Sequence, residues 1–327
     1  MRAIIVGFGN VGREVIKQAR EMGAGIRFVG ALSSKGGVIV KESVDEKELI
    51  KIAEAGQKLE KHGSFTKGLN LSELVEATNP DIAFVAIPPS YVSGNPNRAM
   101  YNELADLGVS VVMADKTALA LDFWGTLEAF NRRGLRLGYR ATVAAGVPVT
   151  DVAWALRWRG VEGFEAVLNA TTNYIISLIA AGMTYEEAVK RAIDEGYAEP
   201  DPTVDTHGWD PAAKAAIVAS ILEGRSVSIG DVVREPLGEG VSELVRVAKK
   251  EGAVLRYVAV YTRGGEVRVK PLPLPRHGPL AGVSGTYNAV VFRLEGEEVT
   301  VSGPAGPAWR TARVMIGDAL DIAGGSE

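Results

Sequence analysis

Cysteine is missing from all 327 residues. Its absence removes disulfides, thiolate metal sites and any catalytic thiol, and it fits a reducing compartment. Histidine is scarce: His62, His207 and His277 lie far apart without metal-ligand spacing, so no zinc site is expected and they read as ordinary surface or turn residues. The chain has no run of about 18 apolar residues, the length a membrane helix needs. Its start, Met1 and Arg2 followed by AIIVGFG, is too short an apolar run for a signal peptide. Positive charge is not in excess either. The 36 Lys and Arg against 40 Asp and Glu leave a net charge of -4, which argues against nucleic acid or an anionic membrane as partner. Small-molecule chemistry in the cytoplasm is the class left standing. With 46% hydrophobic and 23% charged residues, the chain has the composition of a folded protein, and its length suits two domains.

The first half alternates strand and helix patterns. RAIIV (2–6) is followed by GFGNVG and a helical pattern, and IRFVGALSS (26–34) by a helix with a capping box at Ser43 and Glu46. DIAFVAI (81–87), VSVVMA (109–114) and LRLGYR (135–140) read as further strands. Such alternation implies an α/β fold, a Rossmann-type doubly wound parallel sheet. After residue 145 helical patterns crowd together, among them one with a Thr184 and Glu187 capping box, before β-rich segments at 253–302. There Arg263-Gly264-Gly265-Glu266 marks a hairpin turn, and PLPLPRHGP (271–279) is read as an extended connection. The expected plan is a dinucleotide-binding domain at 1–143, an α+β substrate and dimerisation domain at 144–302, and a C-terminal helix at 303–327 that docks back on an earlier layer.

Gly7, Gly9 and Gly12, with Phe8, Asn10 and Val11 between them, match the dinucleotide fingerprint: a tight turn, bare backbone for the pyrophosphate, and close helix-strand packing. The helix N-terminus then faces the phosphates. The end of the second strand carries no acid for an NAD ribose; Ser33, Ser34 and Lys35 stand there, with Lys58 and Lys61 further on. Hydroxyls and a cation suit a 2′-phosphate, which favours NADP and leaves NAD as the alternative. Lys35 as a merely solvated loop lysine is the competing reading. Pro88, after the strand at 81–87, joins the candidate cofactor contacts.

The segment GYAEPDPTVDTHGWDPAAK (196–214) gathers Glu199, Asp201, Asp205 and Asp210 and closes them with Lys214. Asp210-Pro211 is a good helix start, so Asp210 is either an N-cap or part of a site. Lys214 lies one turn on and on the same face, at the helix end where the macrodipole disfavours a cation. The positive helix end lowers a lysine pKa toward values useful in proton transfer, while Asp210 raises it, and the sequence leaves the balance open. Asp201, between Pro200 and Pro202, reads as a turn residue.

GYAEPDPTVDTHGWDPAAKAAI resembles the substrate segment of homoserine dehydrogenases, and VVMADKTALA, LNATTNYII and YRATVAAGVPV resemble three further motifs of that family. The likeness runs from Met1 to the C-terminal helix. It implies oxidation of L-homoserine to L-aspartate 4-semialdehyde or its reverse, with Glu199 and Asp210 at the ammonium and hydroxyl ends of this amino-acid substrate. It makes Lys214 the general acid/base, Lys116 an assistant beside the nicotinamide, and Asp205 the residue orienting Lys214 or its neighbours. It also implies a homodimer, a nicotinamide-side contact at Gly306, and a sodium ion at Arg140, Val143, Ala145 and Val147. Arg140 stands where the family has glutamate, Asp115 where it commonly has asparagine, and GPAGPAWRTA follows its glycine-rich motif only loosely. No ACT-type or kinase domain follows, so feedback through one is not expected. A phosphorylating aspartate-semialdehyde dehydrogenase would need the missing cysteine; a sugar- or imine-reducing enzyme of the same plan and a non-catalytic NADP sensor are the remaining alternatives.

Overall fold

The apolar run at the start of the chain is covered on both faces, as a strand between helical layers must be: Ala3, Ile4 and Ile5 have no exposed surface. In the computed structural model, which describes residues 1–325, this run is β1 (Arg2–Val6). It is followed by α1 (Asn10–Glu21), β2 (Arg27–Ser33), β3 (Gly36–Ile39), α2 (Ser43–Glu54), β4 (Phe65–Lys67) and α3 (Leu71–Thr78). Next come β5 (Ile82–Val85), α4 (Asn97–Asp106), β6 (Ser110–Met113), α5 (Thr117–Leu121), α6 (Phe123–Asn131) and β7 (Leu137–Gly138). The strands form one sheet in the order β4-β3-β2-β1-β5-β6-β7. From β2 to β7 the pairing is parallel, whereas β3 and β4 add an antiparallel edge. That edge is absent from the sequence reading, which continues directly from the second strand to a helix.

The chain divides into two compact units. One comprises Met1–Ala118, Gly125–Gly146 and the segment from Gly306 onward; the other comprises Leu119–Trp124 and Val147–Ala305. The C-terminal helix α13 (Ala308–Gly324), numbered after the twelve helices that precede it, belongs to the first unit. Its Ala312, Met315, Ile316 and Ala319 share a core with Val15, Ile16 and Ala19 of α1.

The second unit contains α7 (Val149–Leu156), β8 (Val161–Val167), α8 (Ala170–Ala180), α9 (Tyr185–Asp194), α10 (Thr203–Thr206) and α11 (Trp209–Glu223). It continues with β9 (Val233–Arg234), α12 (Val241–Lys250), β10 (Ala253–Thr262), β11 (Val267–Pro275), β12 (Tyr287–Leu294) and β13 (Glu297–Pro304). Its sheet has the order β13-β12-β8-β10-β11-β9. One face meets the helices: the Tyr261 hydroxyl of β10 donates to Glu223 of α11 at 2.6 Å. On the other face Val258, Leu274, Ala289 and Val291 pack with Leu280 and Val283 from the loop after β11, and Val260 and Leu272 lie partly open beside them.

Three expectations change here. The proline-rich PLPLP is strand, not connection: Pro271, Pro273 and Pro275 stand opposite Tyr257, Leu255 and Ala253 of β10. Alternate prolines fit a ladder when their nitrogens all point away from the partner strand. The box that starts α2 uses Glu42 and Asp45, one residue earlier than Ser43 and Glu46, because Asp45 accepts from the Glu42 backbone at 3.0 Å while Glu46 accepts from Phe28. His62 is buried at 3% exposure, with Nε2 2.9 Å from the Asp45 carbonyl; it is a packed residue, not a surface one. The Thr184–Glu187 box caps α9 as read.

Candidate functional site

In the first unit the glycine turn leaves no room for side chains where backbone approaches backbone. Gly7 has φ +99°, and a Cβ there would lie 2.2 Å from the Ala86 carbonyl oxygen. One at Gly12 would lie 2.0 Å from the Gly7 carbonyl oxygen. Gly9 faces open space, with nothing within 4 Å of a Cβ, and it precedes α1, whose first turn carries no acid. That is an anion-accepting end with bare amides, so the cradle fits a dinucleotide pyrophosphate. Phe8 is buried and Val11 packs against the core, so both build the turn. Asn10 accepts from Arg13 at 2.7 Å, and Arg13 is a cation at this helix start that the sequence reading passed over.

At the end of β2 the Ser33 hydroxyl donates to the Gly36 carbonyl at 3.1 Å and accepts from the Lys35 backbone at 3.3 Å. Lys35 pairs with Glu60 at 3.0 Å, an acid the sequence reading also missed. The loops after β5 and β6 are tied by a buried network. Asn97 donates to the Pro88 carbonyl at 2.9 Å and to the Thr117 hydroxyl at 3.2 Å. Asp115 accepts from the Thr117 backbone and hydroxyl at 3.1 and 2.8 Å and from the Tyr101 hydroxyl at 3.2 Å. Burial, then the Asp115 charge, pushes the Tyr101 hydroxyl well above its usual range, so it stays a donor. Asp115 therefore serves the start of α5, and half-buried Lys116 is held between two fixed neighbours. Gly306 precedes α13 and faces open space.

The Arg140 backbone donates to Asp318 at 3.0 Å, and its guanidinium pairs with Asp318 at 3.2 Å and with Asp321. It supplies a cation where a sodium ligand would supply an anion. Among the described residues no group of three His, Cys, Asp or Glu could hold a metal ion. The Arg140 side chain, paired with Asp318 and Asp321, is therefore not a sodium ligand, and Val143, Ala145 and Val147 offer only backbone carbonyls to such an ion. Ala144 and Ala145 instead form a turn with φ 57° and 38°, a backbone region costly for any residue with a Cβ.

In the second unit the segment 196–214 folds onto the junction of β8 and α8. Helix α11 starts at Trp209 with Gly208 as its N-cap, so Asp210 is not the cap. Its carboxylate turns to Lys214, with Oδ2 2.6 Å from Nζ; these side chains are 15% and 12% exposed. Lys214 Nζ also donates to the Leu168 carbonyl at 2.6 Å. Asn169 Nδ2 donates to Asp205 Oδ1 at 2.6 Å and to Asp210 Oδ2 at 3.0 Å. Burial foremost, and then the Asp210 charge, pushes the Asp205 carboxyl up from its ordinary value. Asp201 accepts from the Thr203 backbone at 3.1 Å, a turn contact as read. Glu199 is exposed, and no hydrogen bond joins it to this group among the described residues. The structure thus brings together Asp205, Asp210 and Lys214 and adds Leu168 and Asn169. Asn before Ala-Thr-Thr is an N-cap signal that locates Asn169, although nothing in it announces the two carboxylates.

The model of the homoserine dehydrogenase family matches residues 149–320, more than half of the chain, and one for glutamate/leucine/phenylalanine/valine dehydrogenase matches residues 1–97. A homoserine dehydrogenase of Sulfurisphaera tokodaii is 29% identical over 313 residues, 94% of each chain. The NAD(+)-dependent homoserine dehydrogenase of Pseudomonas canavaninivorans is 29% identical over 335 residues, 97% of this chain and 95% of its own. Among solved structures, a hyperthermophilic archaeal homoserine dehydrogenase in complex with NADPH aligns with a TM-score of 0.83 at 25% identity, covering 100% of this chain and 98% of that one.

Proposed function

The chain belongs to the homoserine dehydrogenase family, and from that premise we propose that it interconverts L-homoserine and L-aspartate 4-semialdehyde, with Lys214 moving the proton. The bound nicotinamide supplies or accepts the hydride at the reacting carbon. The oxygen on that carbon needs a proton as the aldehyde is reduced and must lose one as the alcohol is oxidised. Such a place in metabolism serves the making of threonine and methionine.

The observation that carries this reading is the setting of Lys214. An ammonium has three N–H bonds; the Leu168 carbonyl and Asp210 take two, which leaves one for the substrate oxygen. Asp210 is assigned to the hydroxyl end beside Lys214, and exposed Glu199 to the substrate ammonium. Asp205 braces the pair through Asn169. Lys116 is assigned to the nicotinamide side, where the Asp115–Thr117 contacts fix its loop.

For the cofactor, Gly7, Gly9 and Gly12 hold the pyrophosphate, with Pro88 and Gly306 as further contacts. Ser33, Ser34 and Lys35 favour NADP over NAD. In the Lys35–Glu60 pair a 2′-phosphate gains the lysine, whereas the ribose hydroxyl of NAD, the alternative cofactor, can use the glutamate as acceptor. The same reading takes the enzyme as a cytoplasmic homodimer. No step is routed through sodium.

The test follows nicotinamide absorbance with L-homoserine and with aspartate semialdehyde, using NAD and NADP in parallel. Turnover with both substrates is expected, with the higher kcat/KM for NADP. Lys214→Ala should lower kcat by about 10²- to 10⁴-fold with little change in cofactor binding. A fully active Lys214→Ala enzyme would remove the lysine from its role, and turnover of sugars or imines but not homoserine would replace the substrate.

A further inference from the structure

Asn169 is 5% exposed and caps α8, a job that serine, threonine or aspartate does equally well. Its Oδ1 accepts from the Thr172 backbone and from the Thr172 hydroxyl, each at 2.9 Å. Two donors on the oxygen fix the amide's orientation. The nitrogen must then face the other way, and there it meets Asp205 Oδ1 at 2.6 Å and Asp210 Oδ2 at 3.0 Å. Capping alone does not call for an amide; holding two acids does.

We propose that Asn169 is a positioning residue for the reaction, its amide setting Asp205 and Asp210 in place so that Asp210 is aimed at Lys214. The inference rests on the reading of Lys214 given above. Two carboxylates brought together repel, and an N–H group between them offsets that repulsion without adding charge. Asp210 Oδ2 takes one hydrogen bond from Asn169 and one from Lys214, so the amide fixes the oxygen that the lysine uses. The preceding residue contributes the other anchor, because the Leu168 carbonyl receives Lys214. Two consecutive residues between β8 and α8 thus hold the lysine and its acids as one assembly.

Asn169→Asp separates the two jobs, since it keeps the capping oxygen and turns the donor into a third carboxylate. In the full-length enzyme it should keep its melting temperature and NADP affinity while kcat falls by about 10- to 100-fold, the scale of a small misplacement of reacting groups. The groups facing this position are Asp205 of α10 and Asp210 and Lys214 of α11. With a third negative charge among them, the pH–kcat limb they govern should move to higher pH. Asn169→Ser keeps the cap without the charge, and should lower kcat with a smaller movement of that limb. If Asn169→Asp does not fold, Asn169→Ser decides. Wild-type kcat and pH profile in the folded variants, with Lys214→Ala inactive, would overturn the role of Asn169 alone. Absence of homoserine turnover in the unmodified enzyme would overturn the parent reading and this role with it.

Discussion

Asp205 is kept ionisable at a cost. Its carboxyl is held above the ordinary value of 3.8, by burial first and by Asp210 second, so the folded chain binds that proton more tightly than the unfolded chain does. The sign follows from linkage. The contribution to stability is full below the unfolded value and is lost as pH rises through the folded one, leaving an ionised, partly desolvated group at neutral pH. Asp205→Asn, which still accepts from Asn169, should therefore raise the melting temperature near pH 7. For a domain of this size each ~1 kcal/mol regained reads as about 2–4 °C. The gain should shrink as pH falls toward 4, while turnover declines because a brace of the site has lost its charge. Calorimetry from pH 4 to 8 checks this, and a gain independent of pH would contradict it. Among the site residues, Asp210 and Lys214 are legible in the sequence as residue types at helical spacing, and Asp205 only through the motif that carries the resemblance. Asn169 is legible only as a cap, because its second role depends on a contact made 36 residues away in the chain.

Elements built from continuous apolar runs are the ones a sequence reveals, and β1, β5 and β6 are such cases, each buried on both faces. The elements that escape are those whose stability comes from neighbours. β3 begins with two glycines, and β4 is three residues of which Thr66 and Lys67 are exposed, so neither carries an alternating pattern. β8 is interrupted by Glu162, Gly163 and Glu165, yet it sits between β12 and β10 with ladders on both sides. The β1–turn–α1 unit is the reverse case, since Gly7 and Gly12 are forced by local geometry. Gly12→Ala would drive a methyl to 2.0 Å from the Gly7 carbonyl oxygen. Overpacking of this kind costs about 1–3 kcal/mol, and it opens the turn that the pyrophosphate needs. Both the denaturation midpoint and the dinucleotide affinity should fall; a variant unchanged in both would mean that the turn is not the binding element.

At the scale of the whole chain, the proposed homodimer calls for an uncovered apolar face. Helices cover one face of the second sheet, and a loop covers only part of the other, leaving Val260 and Leu272 partly open beside a buried apolar cluster. A homodimer through that face predicts that Leu272→Asp will shift sedimentation toward a single-chain species at micromolar concentration while each chain stays folded by circular dichroism. An unaltered dimer would place the contact elsewhere. The alternate prolines of β11 act at one edge of this sheet. Beyond β11, among the described residues, lies only β9, which pairs at Arg268 and Val269. Along Pro271, Pro273 and Pro275 the outer margin offers carbonyl oxygens but no N–H groups. A strand arriving in the plane of the sheet beside these prolines finds no N–H to donate to its own carbonyls, so the sheet cannot be extended across that border.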